Sequence, residues 1–406
     1  MTEQQPLSRF EQAAIIIALC LATAPFGLFG IDAGAQDATL VYRNMLWMGV
    51  YALFAALFFL HARIMPAIFA NGKTVMALTA FATFSAAWSE MPGATLSSSI
   101  GLWASTLIAG YIALRAEPAQ MLRLSAIALG IISIGSLLVV LLLPEYGIMS
   151  GLHEGAWRGL FTQKNILGRY MTLATAALWA AGYYRLLPRL PAYALALLGL
   201  VILWYTRSVT AYVMLGIFVM LFTTYSLSQR FSSWLRIAFI SLVLTLGTVT
   251  ALLFSDPTAT QEILGWMGRD ATFTQRTQIW ELAFKAISER PWLGYGYGVF
   301  WESDVGQYYT QHFLNWQVPH VHNGFIETCL GIGLIGTALL MVLVAQLLVI
   351  ALKPPANPAM RTLQALALTS TLVLNLVEVT FLRYTNLFWM LAIYLLIRLR
   401  AESRMA

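Results

Sequence analysis

Charge is what this sequence has least of. Asp, Glu, Lys and Arg make up 10% of its 406 residues, while 59% are hydrophobic. Such a chain has too little polar surface to wrap a water-soluble core, so it belongs in a bilayer. Cysteine is nearly absent. Cys20 and Cys329 both lie in apolar runs, which excludes a disulfide framework or a cysteine-based metal cluster and leaves them as packing residues. No basic run accompanies the net charge of +6; the cations sit singly between apolar stretches, which excludes nucleic acid as a partner. No Gly/Ser-rich or Pro-rich linker and no internal repeat divides the chain, so residues 1–406 are expected to form a single membrane domain. The opening MTEQQPLSRFEQ is acidic and runs into an apolar stretch without a small-residue cleavage pattern, so the first span is expected to be retained.

What the sequence does have is apolar runs long enough to cross a bilayer. About twelve are predicted, which gives an all-α polytopic membrane protein. They cover 11–30, 45–62, 74–88, 95–114, 122–143, 166–184, 191–206, 209–228, 236–254, 323–352, 362–381 and 385–398. With the N-terminus in the cytoplasm, every inner connection carries basic residues, among them Arg63, Lys73, Arg115, Arg123, Arg185, Arg189, Arg230, Arg236, Lys353, Arg361 and Arg398. The positive-inside rule then puts both termini in the cytoplasm. Two outer segments are basic against that rule, 145–165 and 255–322. The second is predicted to be one large outer loop with amphipathic helices. In it, Trp280, Ala283, Phe284 and Ile287 share a helical face expected to lie on the membrane, with Arg276 beside them. Arg276 would face lipid phosphate or simply snorkel.

The richest local cluster is VPHVHNGFIETCLGIGLIG. His320 and His322 are two of five histidines in the chain, and histidine suits proton transfer near neutral pH. Asn323 and Glu327, four apart, can bond on one helix face. Glu327 lies inside an apolar run, which marks a functional group or an interhelical polar clamp. A metal would need further ligands, and His153, His312, Asp256 and Asp270 are too scattered to supply them; no G-x-S-x-G elbow is present. A second cluster, WRGLFTQKNILGRYM, offers Arg158, Lys164, Asn165 and Arg169, and Arg207 sits in a turn too short to leave the outer surface. Guanidinium groups suit phosphate oxygens. Glu378, with Asn375 and Arg383 nearby, either pairs with these cations or clamps helices. The chemistry is thus expected on the outer face, where no nucleoside triphosphate is available and a polyprenyl diphosphate sugar can serve as a preassembled donor. Transport is the competing reading, and no matched pair of broken helices supports it.

Four stretches carry a family resemblance: WSEMPGATL at 88–96, RGLFTQKNILG at 158–168, TFTQRTQIWELAFKAISERPWLGYGYGVFW at 272–301 and HVHNGFIETCLGIGLIG at 320–336. With these, the chain resembles the O-antigen ligase and polymerase superfamily, and within it the Wzy-type exopolysaccharide polymerases. The resemblance implies a metal-independent, cofactor-free, inverting glycosyltransferase in the bacterial inner membrane with a periplasmic active site. Its donor would be an undecaprenyl-diphosphate-linked saccharide, its acceptor a glycan, and a chain-length regulator a further partner. By motif, His322 would assist the acceptor hydroxyl and Arg276 hold the diphosphate, with Arg158, Lys164 and Asn165 helping to bind the donor. The chain departs from the ligases where their serine-arginine motif would put its arginine at Val209; here the arginine is Arg207. A polymerase joining lipid-linked repeat units is therefore favoured. The alternatives are a ligase acting on lipid A core or protein, and a transporter or flippase of the same lipid-linked saccharide.

Overall fold

A computed structural model describes residues 6–26, 36–227, 274–314, 316, 318–351 and 357–405, with isolated positions at 234, 238 and 241. Apart from positions 238 and 241, the expected span over 236–254, and residues 255–273 of the expected outer loop, lie outside the described residues. The described chain is all helical. It runs through α1 (Arg9–Leu21), α2 (Gln36–Leu60), α3 (Ile64–Asn71), α4 (Lys73–Phe84), α5 (Pro92–Arg115), α6 (Pro118–Leu142), α7 (Pro144–Gly147), α8 (Lys164–Tyr183), α9 (Arg189–Thr206) and α10 (Val209–Leu227). Then come α11 (Thr274–Glu289), α12 (Asp304–Phe313), α13 (Gly324–Ala351), α14 (Pro358–Leu368) and α15 (Leu387–Met405).

The expectation of about twelve spans is corrected. Among the described residues five helices are long and apolar enough to cross a membrane: Tyr42–Leu60, Pro92–Arg115, Pro118–Leu142, Arg189–Thr206 and Gly324–Ile350. A sixth is added if Ile64–Asn71 and Lys73–Ala87, bent at 90°, count as one. Of the remaining runs, one is enclosed by protein and others are short. Every residue of α15 from Leu387 to Ile397 is buried among other helices, and a helix enclosed by protein is apolar all round just as one in lipid is. α1 has only 13 residues, about 20 Å of helix. α14 stops after 11 residues and continues as a π-turn and a 3-10 turn.

The large outer loop with membrane-lying amphipathic helices is also corrected. From Thr274 onward the segment folds on itself: Ile279, Leu282, Ala283 and Ala286 of α11 are buried in a second apolar cluster with Tyr295, Phe300, Tyr309, Val321 and Leu330. The apolar face of α11 is thus taken up by protein instead of lipid. Phe284 is turned outward, 56% exposed. Trp280 donates its indole N–H to the Val321 carbonyl at 2.9 Å, which fastens α11 to the segment before α13.

α13 is broken. Ile332 (φ −128°) and Gly333 (φ +65°, ψ −172°) leave helical geometry, and a break inside an apolar run must find partners for the backbone groups it frees. The GYGYG run supplies them. Tyr295 and Gly296 donate their N–H groups to the Leu330 and Gly331 carbonyls at 3.0 and 2.8 Å, and Leu334 donates to Pro291 at 2.8 Å. So close an approach requires glycine. A Cβ at Gly333 would stand 2.2 Å from the Trp292 carbonyl oxygen, and one at Gly294 2.6 Å from that of Leu330. The same strip is held from the other side by Trp88, whose indole donates to the Leu293 carbonyl, and by Ser85, which accepts from Tyr297 N–H, each at 2.9 Å.

At the opposite end, Glu11 ties α1 to α5. Its carboxylate accepts from Arg115 Nε at 2.9 Å, Arg115 Nη2 at 3.2 Å and the Tyr111 hydroxyl at 2.7 Å. It also accepts from Ser8 N–H, closing the N-terminal box of α1. Both charged side chains are buried, at 4% and 11% exposure, so removing one partner strands the other. Arg115→Ala is expected to cost about 3–5 kcal/mol, read as an earlier loss of the monodisperse peak on heating in detergent. Replacing both residues with leucine should recover part of that loss.

Candidate active site

Four separate pieces of chain bring side chains to one place. Arg169 lies in the second turn of α8, and Arg276 in the first turn of α11. His322 directly precedes Asn323, whose side-chain oxygen accepts from Phe325 and Ile326 N–H and so caps α13. His322 has φ +55°, a left-handed conformation that strains a non-glycine residue and is often retained at functional sites. Glu378 stands in the turn after the 3-10 segment Leu374–Leu376, outside the candidate spans. That turn is held by Asn375, which accepts from Thr380 and Phe381 N–H and donates to the Thr371 carbonyl and the Thr380 hydroxyl.

Glu378 is the centre. Its carboxylate lies 3.6 Å from His322 Nδ1, 3.7 Å from Arg169 Nη1 and 3.9 Å from Arg276 Nη2. All three distances exceed ordinary hydrogen-bond lengths, so the cations surround the carboxylate without closing on it. Arg169 Nε and His322 Nδ1 are buried and lack a hydrogen-bond partner among the described residues. Polar capacity is therefore left over beside the carboxylate.

The electrostatics fit. Burial pushes the Glu378 carboxyl up, but the adjacent His322 imidazole and the charge of Arg169 outweigh it and hold the group at about 2. Burial lowers the pKa of Arg276, and Glu378 opposes that. Burial, then the charges of Arg383 and His322, push His320 well below the usual histidine range, so it is neutral. Its Nδ1 accepts from the His322 backbone N–H at 3.2 Å and its ring packs edge-on against that of His322, 4.2 Å between centres. His320 therefore supports the strained backbone of His322. His320, His322 and Glu378 each offer a ligand atom within 4.8 Å of the others, enough for three corners of a metal site. Two guanidinium groups within 4 Å of the same carboxylate oppose a dication there.

The other residues singled out by sequence lie around this centre in different roles. Glu327 meets Asn323 only through the backbone, its N–H donating to the Asn323 carbonyl; its carboxylate accepts from Val321 N–H and the Trp301 indole. Arg158 donates to the Tyr146 and Glu145 carbonyls. Arg207, left-handed at φ +50°, caps α9 and donates to the Glu154 carbonyl. Lys164 donates to the Arg207 carbonyl, and Asn165 accepts from the Ser208 hydroxyl. Lys164 and Asn165 open α8, about 7 Å along the helix axis from Arg169, and the Arg207–Ser208 turn packs against them. Sequence reasoning gave Glu378 no more than a pairing or clamping part. The signal for its centrality was a carboxylate closing an apolar run three residues after a buried asparagine.

Comparison with known proteins finds two likenesses. Residues 192–341 match the family model described as O-Antigen ligase. The exopolysaccharide production protein ExoQ of Rhizobium meliloti (strain 1021) is 29% identical over 317 residues, which cover 73% of this chain and 69% of that protein. The chain is thus similar to the O-antigen ligase family over that stretch and to an exopolysaccharide production protein over most of its length. Of the residues at the centre, the O-antigen ligase match takes in Arg276, His320 and His322, while Arg169 and Glu378 lie outside it. Several long apolar helices here agree with a multi-pass membrane protein.

A carboxylate whose pKa is depressed on folding stabilises the protein above its unfolded value, and that contribution is lost as pH falls through the folded value. The stability difference between the protein and Glu378→Gln should be level from pH 8 to about 5 and shrink from there toward pH 2. Melting in detergent at stepped pH measures it; a difference that stays level to pH 2 would mean that the carboxylate is not held by these cations.

Proposed function

We propose that this protein is a polymerase that joins undecaprenyl-diphosphate-linked saccharide repeat units at the periplasmic face of the bacterial inner membrane, in exopolysaccharide or O-antigen synthesis. The observation that carries this reading is the convergence of Arg169, Arg276 and His322 around Glu378. Two guanidiniums side by side suit the two charges of a diphosphate diester. A histidine beside them suits the proton that must leave an acceptor hydroxyl.

The reaction balances with these groups alone. The acceptor oxygen attacks the anomeric carbon from the face opposite the diphosphate, its O–H bond breaks and the proton passes to His322. The bond from the anomeric carbon to the diphosphate oxygen breaks, and the added negative charge falls on a leaving group held by Arg169 and Arg276. A single displacement of this kind inverts the anomeric centre. The arginines supply the positive charge that a metal would otherwise bring, which supports a metal-independent mechanism. Glu378 stabilises the protonated imidazole and orients it through Nδ1. The second cluster of Arg158, Lys164, Asn165 and Arg207 is assigned to the saccharide part of the substrate.

The packing supports the proposed orientation. Segments assigned to the cytoplasmic side touch one another: Glu11 meets Arg115, His61 meets Tyr111, Arg400 donates to the Asn71 carbonyl and Tyr394 to that of Ala116. Arg158, Arg207, His322 and Glu378 all belong to segments assigned to the other side. A ligase reading draws on the description of the matching family model, and a transporter reading on the broken α13.

One reconstitution separates the three. Purified protein in lipid should lengthen a lipid-linked oligosaccharide with no other acceptor present. A requirement for lipid A core would make it a ligase, and saccharide crossing the bilayer unaltered a transporter. His322→Ala and Arg276→Ala should each lower elongation by about a hundredfold or more with insertion and folding retained. Full-length polymer made by His322→Ala would remove His322 from the mechanism.

A further inference from the structure

The turn that follows Glu378 is built with more care than a connection needs. Leu382 and Thr385 are both left-handed, at φ +53° and +56°, and both are residue types that resist this conformation. Between them stands Arg383. The strain is sustained by bonds from three other parts of the chain. The Leu382 carbonyl accepts the hydroxyl of buried Tyr297, Thr385 N–H donates to Ser105 at 2.8 Å, and Phe381 N–H donates to Asn375 at 3.0 Å. The turn also lies directly against the His322-Asn323-Gly324 strip. A Cβ on Gly324 would stand 2.1 Å from the Asn375 side-chain oxygen and 3.0 Å from the Phe381 ring, and the Phe325 and Phe381 rings are 5.1 Å apart.

Among the described residues no carboxylate and no hydrogen-bond acceptor engages the Arg383 guanidinium. It nevertheless acts on the site: its charge is the largest influence after burial that keeps His320 neutral. A strained backbone clamped from three sides around an unpaired, half-buried cation is the arrangement expected where the cation has a ligand to meet.

We propose that Arg383 is a third binding cation of this site, gripping the diphosphate of the lipid-linked donor together with Arg169 and Arg276. This rests on the polymerase reading above. Charge supports it. Three guanidiniums against the one carboxylate of Glu378 leave a surplus of two positive charges, which equals the two negative charges of a diphosphate diester. When the glycosidic bond breaks the leaving group gains one negative charge, and the acceptor proton on His322 adds one positive charge beside it. The site thus matches its ligand both before and after transfer. Without Arg383 it would fall one charge short in both states.

The test uses the full-length protein in lipid nanodiscs with undecaprenyl diphosphate and undecaprenyl monophosphate as probes, alongside elongation kinetics. Arg383→Ala is expected to weaken diphosphate binding about tenfold or more, to weaken monophosphate binding much less, and to raise the donor KM; Arg383→Lys should restore most of each. Arg276→Ala serves as the control for the site as a whole. If the unaltered protein does not bind undecaprenyl diphosphate, the polymerase reading itself fails. If it binds, Arg276→Ala loses binding and Arg383→Ala binds as the parent does, the polymerase reading stands and the role of Arg383 is overturned. Equal weakening toward both probes also overturns it. Should Arg383→Ala not elute as a folded protein, Arg383→Gln, which keeps a polar tip of similar reach, is measured in its place under the same two outcomes.

Discussion

A carboxylate withdrawn from water must be compensated by the groups around it, and Glu378 draws that compensation from three separate pieces of chain. Arg169 comes from α8, Arg276 from α11 and His322 from the entry to α13. The attraction at 3.6 to 3.9 Å is looser than closed hydrogen bonds, so it gathers the cations without exhausting them. Packing alone would hold these helices at a spacing set by their apolar side chains. The shared anion is what makes their polar tips converge, and like charges could not otherwise lie so close.

The rest of the structure fixes the backbone at which those tips are presented. The broken α13 lets a short helix end at the site while the remainder of the run continues as an apolar helix. That break is tolerable only because Tyr295 and Gly296 bond to the carbonyls it frees. The WSEMPG stretch in turn holds the glycine strip through Trp88. Three of the four stretches that carried the family resemblance therefore make one assembly: one supports the strip, one contains it and bears Arg276, and one is the broken helix that His322 begins.

Much of this was legible in the sequence and some was not. His322 and Arg276 stand in short linear motifs whose residue types suit proton transfer and phosphate binding. Arg169 could be read as an arginine one turn inside a helix. Span counting failed because an apolar run reports removal from water, not what replaces the water; Leu387–Ile397 is enclosed by protein and reads like a helix in lipid. The face of α11 was misassigned for a related reason, since amphipathicity shows that a face is covered but not by which partner. Nor does sequence show that the Arg158 and Arg207 guanidiniums meet backbone carbonyls. Glu378 was hard to read because its meaning lies in neighbours more than fifty residues away along the chain.

Gly324 and Asn375 stand so close that no side-chain carbon fits between them. The two positions therefore cannot drift separately over evolution. A larger residue at 324 is tolerated only with a smaller one at 375, yet shortening 375 releases the backbone of Thr380 and Phe381 that its amide holds. Related chains should accordingly change these two sites together or not at all, which makes the pair a marker for chains that keep the same turn beside Glu378.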